Sequence, residues 1–267
     1  MNISKLYICP NGFTIEQDEL AKECLRTLVS LGYECGVSER RFYDDFLRLG
    51  LSDFGPAEAD LIVSLGGDGA LLRAAQKAIE TDKPLIGVNS GRLGYLCAMG
   101  YNDLPDFDRI FKECLWTERK LLEGDLDGKT FTAVNDIVVT HKQFGTTVDM
   151  RVSLNTGNEL RSRGDGLIFA TPTGSTAYNL AVRGPIVDND APVITLTPIN
   201  PHSYLKNALI VPESMSFTIT ERTDSADVYT DGVLAGHLSG ALRIALADKK
   251  LRLLTRRTTI GSLEKLL

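Results

Sequence analysis

A chain of 267 residues with 43% hydrophobic and 24% charged residues can bury a full core and is long enough for two modest domains, which is the expectation here. No apolar run reaches the ~18 residues of a membrane span, and the opening residues lack the charged, apolar and small-residue regions of a secretory leader, so a cytoplasmic protein is expected. A formal charge of −6 argues against nonspecific binding to nucleic acid or an anionic membrane, so a phosphate-rich ligand must be met by local cations, helix ends or a divalent ion.

The five cysteines, Cys9, Cys24, Cys35, Cys97 and Cys114, are scattered and without a CxxC pair, as small buried residues in a reducing compartment would be. Lys5–Pro10 reads as a first strand. Thr14–Leu31 reads as an amphipathic helix, with Leu20, Cys24, Leu28 and Leu31 at helical spacing and Gly32 as its stop. Glu34–Val37 is a second extended piece, and Ser38–Asp53 fits no element. Asp60–Ser64 is a buried strand that runs into the turn Gly66-Gly67-Asp68-Gly69 and a helix from Ala70 to Ile79. A strand Pro84–Val88 and a second glycine turn, Asn89–Gly94, follow, with Arg92 as a candidate anion contact. This alternation predicts a parallel sheet covered on both faces, with ligands at the carboxyl ends of its strands, where both glycine turns lie. Asn102–Leu115 reads as a helix closing the α/β part.

From Glu118 the pattern changes to short β-branched runs separated by turn residues: Thr130–Thr140, Val148–Leu154, Leu167–Ala170, Val193–Leu196, Ser216–Thr220 and Asp227–Tyr229. Leu242–Leu246 and Leu251–Thr255 suggest a terminal hairpin around Asp248-Lys249-Lys250, and Gly261–Leu267 a tail returning to the first domain. The expected fold is α/β plus β: a Rossmann-like α/β amino-terminal domain over residues 1–116, a β-rich, β-sandwich-like domain over 117–240, and a carboxy-terminal segment 241–267.

Two stretches concentrate chemistry. A strand, a glycine turn and a helix start form a recipe for holding phosphate, because glycine lets the backbone approach an anion and the helix end presents free N–H groups. Asp68 is then a carboxylate where phosphate would sit; it either caps the helix or acts on a hydroxyl proton or a metal. In Arg161–Asp188 a strand leads into Thr171-Pro172-Thr173-Gly174-Ser175-Thr176-Ala177-Tyr178 and a helix. Its hydroxyls and amides suit ribose and phosphate, and Tyr178 offers an aromatic face with a polar tip. An elaborate cap through Ser175 or Thr176 is the plainer alternative. Arg161, Arg163 and Asp165 add charge just upstream, as ligand contacts or as a solvated loop. His141 and His237 have no partners at metal-ligand spacing and read as structural or exposed.

These residues resemble the NAD kinase family over most of the chain: LGGDG at Leu65–Gly69, GVNSGRLGYL at Gly87–Leu96, Asn135-Asp136, RGDGLIFATPTGSTAY at Arg163–Tyr178, GPIV at Gly184–Val187 and Pro201-His202-Ser203. GGDG alone also occurs in lipid kinases and phosphofructokinases; the DG…TPTGSTAY block is far more specific. The resemblance implies phosphoryl transfer from ATP or inorganic polyphosphate to the 2′-hydroxyl of the adenosine ribose of NAD, giving NADP, with Mg²⁺ or another divalent cation accompanying ATP. It implies Asp68 as the catalytic carboxylate and Gly66, Gly67 and Gly69 as the phosphate turn. The implied substrate and nucleotide contacts are Arg73, Asn135, Asp136, Arg163, Asp165, Thr173, Thr176, Ala177, Tyr178, Ala181 and His202, with no metal-ligating residues. A homodimer or homotetramer is implied, with no nucleic-acid or membrane partner. The chain departs from the family at Ala70, where threonine is usual, at Asp136, where glutamate is usual, and at Arg183, where glycine is usual. Rival readings are a lipid or sugar kinase of the wider GGDG group and a non-catalytic NAD-binding sensor.

Overall fold

The computed structural model describes residues 3–10, 15–38, 46–91, 94–222 and 226–256. Arg92 and the tail Gly261–Leu267 therefore lie outside the described residues, as do residues 39–45 of the segment that fits no element from sequence. The chain forms two compact units, one running to Glu118 and taking up the chain again from Leu251, the other spanning Arg119–Lys250. No helix among the described residues is long and apolar enough to cross a membrane.

The first unit is built from β1 (Lys5–Pro10), α1 (Ile15–Ser30), β2 (Glu34–Val37), α2 (Phe46–Leu49), β3 (Leu61–Leu65), α3 (Asp68–Thr81), β4 (Leu85–Asn89), β5 (Met99–Gly100) and α4 (Phe107–Glu113). Its strands pair in parallel in the order β4-β3-β1-β2, with β5 also on β4. Every residue of β3 and β4 is buried, which is what a sheet covered on both faces demands of its central strands. Helix α1 sets Ala21, Cys24, Leu25 and Leu28 into the core, and α3 sets Ala70, Leu71, Ala74, Ala75, Ala78 and Ile79. The small residues of α3 let it lie close, and Gly87 completes the fit: a Cβ there would stand 2.6 Å from Leu71 Cδ1 and 2.8 Å from Cys97 Sγ. The helix expected from Asn102 begins only at Phe107. Pro105 stands inside a preceding 3-10 turn, Tyr101–Asp106, because its ring and missing N–H are incompatible with the interior of an α-helix.

The second unit takes in most of β6 (Leu115–Leu126), then β7 (Lys129–Ala133), β8 (Asp136–His141), β9 (Val148–Leu154), β10 (Glu159–Gly164), β11 (Gly166–Ala170), α5 (Tyr178–Ala181), β12 (Val193–Ile199), β13 (Ser203–Tyr204), β14 (Leu209–Pro212), β15 (Phe217–Glu221), β16 (Ala226–Thr230), β17 (Val233–His237) and the first part of β18 (Ala241–Thr255). Antiparallel strands form two sheets, β13-β10-β9-β15-β18 and β14-β12-β11-β8-β16-β17. Alternate residues meet between them: Val148, Met150, Val152, Phe217 and Ile219 from the first pack with Ile137, Val139, Leu167, Phe169 and Leu196 from the second. This is a β-sandwich core. The opposite face of the six-stranded sheet carries Val138, Ile168, Ala170 and Ile199, with Val182 against them.

Three sequence expectations change here. Thr130–Thr140 is two strands, divided at Val134-Asn135. The helix after Thr176 is the single turn α5. Asp248-Lys249-Lys250 is not a hairpin turn but the exposed middle of the unbroken 15-residue β18. A tight hairpin needs residues at positive φ, and none of these adopts it. The strand therefore leaves the second unit and continues into the first, where Leu253 and Leu254 pair in parallel with Leu85 and Ile86.

Candidate active site

In the first unit Asp68 occupies the first position of α3, and the cap is Gly67, which has no side chain to bond. The carboxylate turns instead to the second glycine turn: Oδ2 accepts the Tyr95 amide at 2.8 Å and Oδ1 the Leu96 amide at 3.2 Å. Gly94 makes room for it, since a Cβ there would stand 2.4 Å from either oxygen. Each oxygen keeps a further lone pair for a ligand.

The glycines of the turn differ in what requires them. Gly66 has φ 143°, a conformation that side chains rarely adopt, and its amide donates to the Val88 carbonyl at 2.9 Å. A Cβ on Gly67 would meet nothing within 4 Å, and one on Gly69 only Arg73 Nη1 at 3.9 Å. Packing demands neither glycine, and their bareness leaves open space above the helix end. The amides of Gly67, Asp68 and Gly69 have no acceptor among the described residues. They are the orphan donors of a helix N-terminus, where an anion is favoured. Arg73 is exposed one turn further on, its guanidinium reaching back toward Gly69.

In the second unit the Asn135-Asp136 pair is set by a residue 95 positions away. Asp231, at φ 46° in the turn after β16, accepts the amides of Val134, Asn135 and Asp136 at 2.8, 2.7 and 3.2 Å, and its own amide donates to the Asp136 carbonyl at 3.0 Å. Asp136 is 5% exposed, and its carboxyl oxygens take no hydrogen bond from the described residues. Burial first, and the neighbouring Asp231 charge second, push it up to about 7. Burial also raises Asp231, against three amides that pull it down. Those amides favour the charged form of Asp231, whereas Asp136 has no such donors among the described residues.

The Thr171–Tyr178 stretch closes over the same strand end. Thr171 donates its hydroxyl to the Val134 carbonyl and its amide to the Asn135 carbonyl. A Cβ on Gly174 would stand 2.0 Å from the Asn135 oxygen, so only glycine permits that approach. Thr173 is buried with its hydroxyl on Asn189 Oδ1, Thr176 donates to the Thr173 carbonyl, and Ala177 leads into α5. Ser175 exchanges hydrogen bonds with Val187, tying GPIV to the turn. Tyr178 is 44% exposed. Tyr178 and Ala181 line an open groove of ≈ 810 Å³ that also runs along Thr197–Pro201.

The remaining candidates gather at the other end of β11. Asp165 sits between Gly164 and Gly166, where a Cβ would stand 2.7 Å from the Asn200 oxygen and 2.3 Å from the Val139 oxygen, respectively. Its Oδ2 accepts Asn200 Nδ2 at 2.8 Å. Arg163 and His202 are both exposed and are joined through backbone, the His202 amide donating to the Arg163 carbonyl. Arg161 is taken up by Asp149 and stacks on Tyr204, a role in the sheet edge. The five residues of β11 hold this group about 13 Å from Asn135-Asp136.

Sequence reasoning missed Asp231 and Thr171 as positioning residues. Asp231-Gly232 is visible as a hairpin turn, but nothing local in the sequence names the amides it holds. Among the described residues no three His, Cys, Asp or Glu side chains converge on one point.

Residues 8–118 match the ATP-NAD kinase N-terminal domain family, and residues 134–254 the ATP-NAD kinase C-terminal domain family. The chain is 35% identical over 210 residues to the NAD kinase of Syntrophotalea carbinolica, covering 74% of each chain. It is 32% identical over 226 residues to the NAD kinase of Caldicellulosiruptor bescii, covering 84% of each. Among solved structures, yeast NADH kinase complexed with NADH superposes with a TM-score of 0.83 at 23% identity, over 99% of this chain and 87% of that one. An NAD kinase from Archaeoglobus fulgidus in complex with ATP superposes with a TM-score of 0.75 at 20% identity, over 99% and 97%; both share the fold.

Proposed function

Because the chain belongs to the NAD kinase family, and so makes NADP by phosphorylating the 2′-hydroxyl of the adenosine ribose of NAD, we propose that Asp68 is the carboxylate that orients the attacking hydroxyl. The observation carrying this is Asp68 itself, held by two amides of the 94–96 turn beside an open glycine helix end. The hydroxyl oxygen bonds to the terminal phosphorus of the donor, the bond from that phosphorus to the bridging oxygen breaks, and Asp68 accepts the hydroxyl proton. Asp68 need only hold and orient the hydroxyl, with its own carboxylate fixed by two N–H donors. That suffices, because phosphoryl transfer rests on positioning and charge neutralisation more than on proton removal.

The orphan amides of Gly67, Asp68 and Gly69, with Arg73, receive donor phosphate. ATP is the donor we propose, with inorganic polyphosphate as an alternative of the same chemistry. Mg²⁺ arrives as part of the ATP complex and is substrate here. Asn135, Asp136, Thr173, Thr176, Ala177, Tyr178 and Ala181 contact NAD, with Arg163, Asp165 and His202 at the far end of the strand. A homodimer or homotetramer in the cytoplasm is the working form we propose; five free, buried cysteines support a reducing compartment.

The test is NADP formation from NAD and MgATP by the parent and by Asp68→Asn, with thermal unfolding alongside. Loss of roughly 10²–10⁴-fold in kcat with the fold retained is the expected outcome. A folded Asp68→Asn with the parent's rate would remove Asp68 from the chemistry.

A further inference from the structure

We propose that Arg183 and Lys206 form a phosphate-binding subsite in the groove of the second unit and take the diphosphate of the dinucleotide, an inference that rests on the kinase reading above. Arg183 follows α5 with φ 66°, its amide donating to the Leu180 carbonyl at 2.9 Å. A left-handed residue just past a helix end is ordinarily glycine, since a Cβ is strained there. The strain persists because the turn is held from outside it. Buried Asn179 donates to the Ser175 and Pro185 carbonyls at 3.0 and 2.9 Å and accepts the Thr197 hydroxyl at 2.6 Å. Arginine at this position has no packing purpose: its side chain is exposed and has no hydrogen bond or ion pair among the described residues. Lys206 is exposed and equally unpaired among them.

Both cations line the groove of ≈ 810 Å³, together with Tyr178 and Asn200, and no carboxylate is among its lining residues. In a chain of net charge −6, a hollow of ligand size with two uncompensated cations and no acid selects an anion. A guanidinium fork and an ammonium suit phosphate oxygens, and the neighbouring Tyr178 ring suits the base or ribose of the same molecule. Tyr178 and Ala181, nucleotide contacts in the kinase reading, line the same groove. A dinucleotide held by those contacts therefore has its diphosphate within the groove that the two cations line.

The experiment is equilibrium binding of NAD, and of adenosine as a probe without phosphate, to the parent and to Arg183→Gly, Arg183→Lys and Lys206→Gln. Arg183→Gly removes the charge and relieves the strained backbone, so its melting temperature holds or rises while its Kd for NAD increases about tenfold. Arg183→Lys recovers part of that loss, Lys206→Gln weakens NAD on its own, and adenosine binds all four alike. Unchanged NAD affinity in Arg183→Gly and Lys206→Gln overturns the proposal, as does an equal loss for adenosine. NADP formation by the parent is followed in parallel. Its absence would remove the kinase reading, whereas its presence with unchanged NAD affinity in both variants would remove only the subsite.

Discussion

Gly94 and Asp68 are a matched pair: the carboxylate occupies the volume a Gly94 side chain would take, 2.4 Å from the Cβ position. Gly94→Ala must displace either the carboxylate or the 94–96 amides that hold it. Overpacking of this kind costs about 1–3 kcal/mol, and if the displaced carboxylate orients the hydroxyl as proposed, the rate loss should exceed the stability loss. Chemical denaturation and NADP formation on the same preparation separate the two; a stable variant with parental kcat would detach this carboxylate's position from the rate. Asp136 makes a prediction in pH. Its carboxyl is raised from 3.8 to about 7 by burial and the Asp231 charge, so folding takes up a proton between those values. Stability contributed by this group is therefore greatest at the acid end, falls as pH rises from about 4 to about 7, and levels off above. KM for NAD should show an inflection near pH 7 that Asp136→Asn abolishes; an inflection that persists in the variant belongs to another group.

At the scale of elements, the entry to β8 and the turn after β16 act as one piece through Asp231. Asn tolerates the left-handed backbone, so Asp231→Asn keeps the turn while removing the charge and weakening the three amide contacts. Two effects are expected together: stability falls by about 1–3 kcal/mol, and the pH inflection of KM moves toward acid because Asp136 loses its charged neighbour. Loss of stability with an unmoved inflection would make Asp231 structural only. Gly87→Ala drives α3 off β4, with Leu71 Cδ1 at 2.6 Å, and should destabilise by about 1–3 kcal/mol, read by denaturation. Most of these elements were legible as periodicity: the buried runs of β3 and β4, the spacing of α1, the alternation of β9. The exceptions have local causes. Charged Glu159–Gly164 does not read as apolar alternation yet forms β10, because an edge-side strand faces solvent. Polar Asp248-Lys249-Lys250 looks like a turn yet extends.

For the whole molecule, all five cysteines are free and buried, and burial pushes the Cys35 thiol up to about 12 and Cys114 up to about 11. Thiolate is the reactive form, so the folded protein should be nearly silent toward a thiol reagent such as DTNB and release five equivalents only on unfolding. Rapid labelling of the folded chain would contradict this burial. The sequence by itself determined the α/β-then-β organisation, the glycine turn at the start of α3 and the family, because periodicity and short glycine motifs are local properties of the chain. It named Asp68, Asp136 and Arg183 but could not say what they face. Only the tertiary structure decided that Asp68 is held by the second glycine turn rather than capping its own helix, that Asp231 sets Asn135-Asp136 from 95 residues away, and that Arg183 shares a groove with Lys206. Each of these depends on how strands distant in sequence are paired and packed, in the parallel sheet of the first unit and the two sheets of the second, and not on any stretch of residues alone.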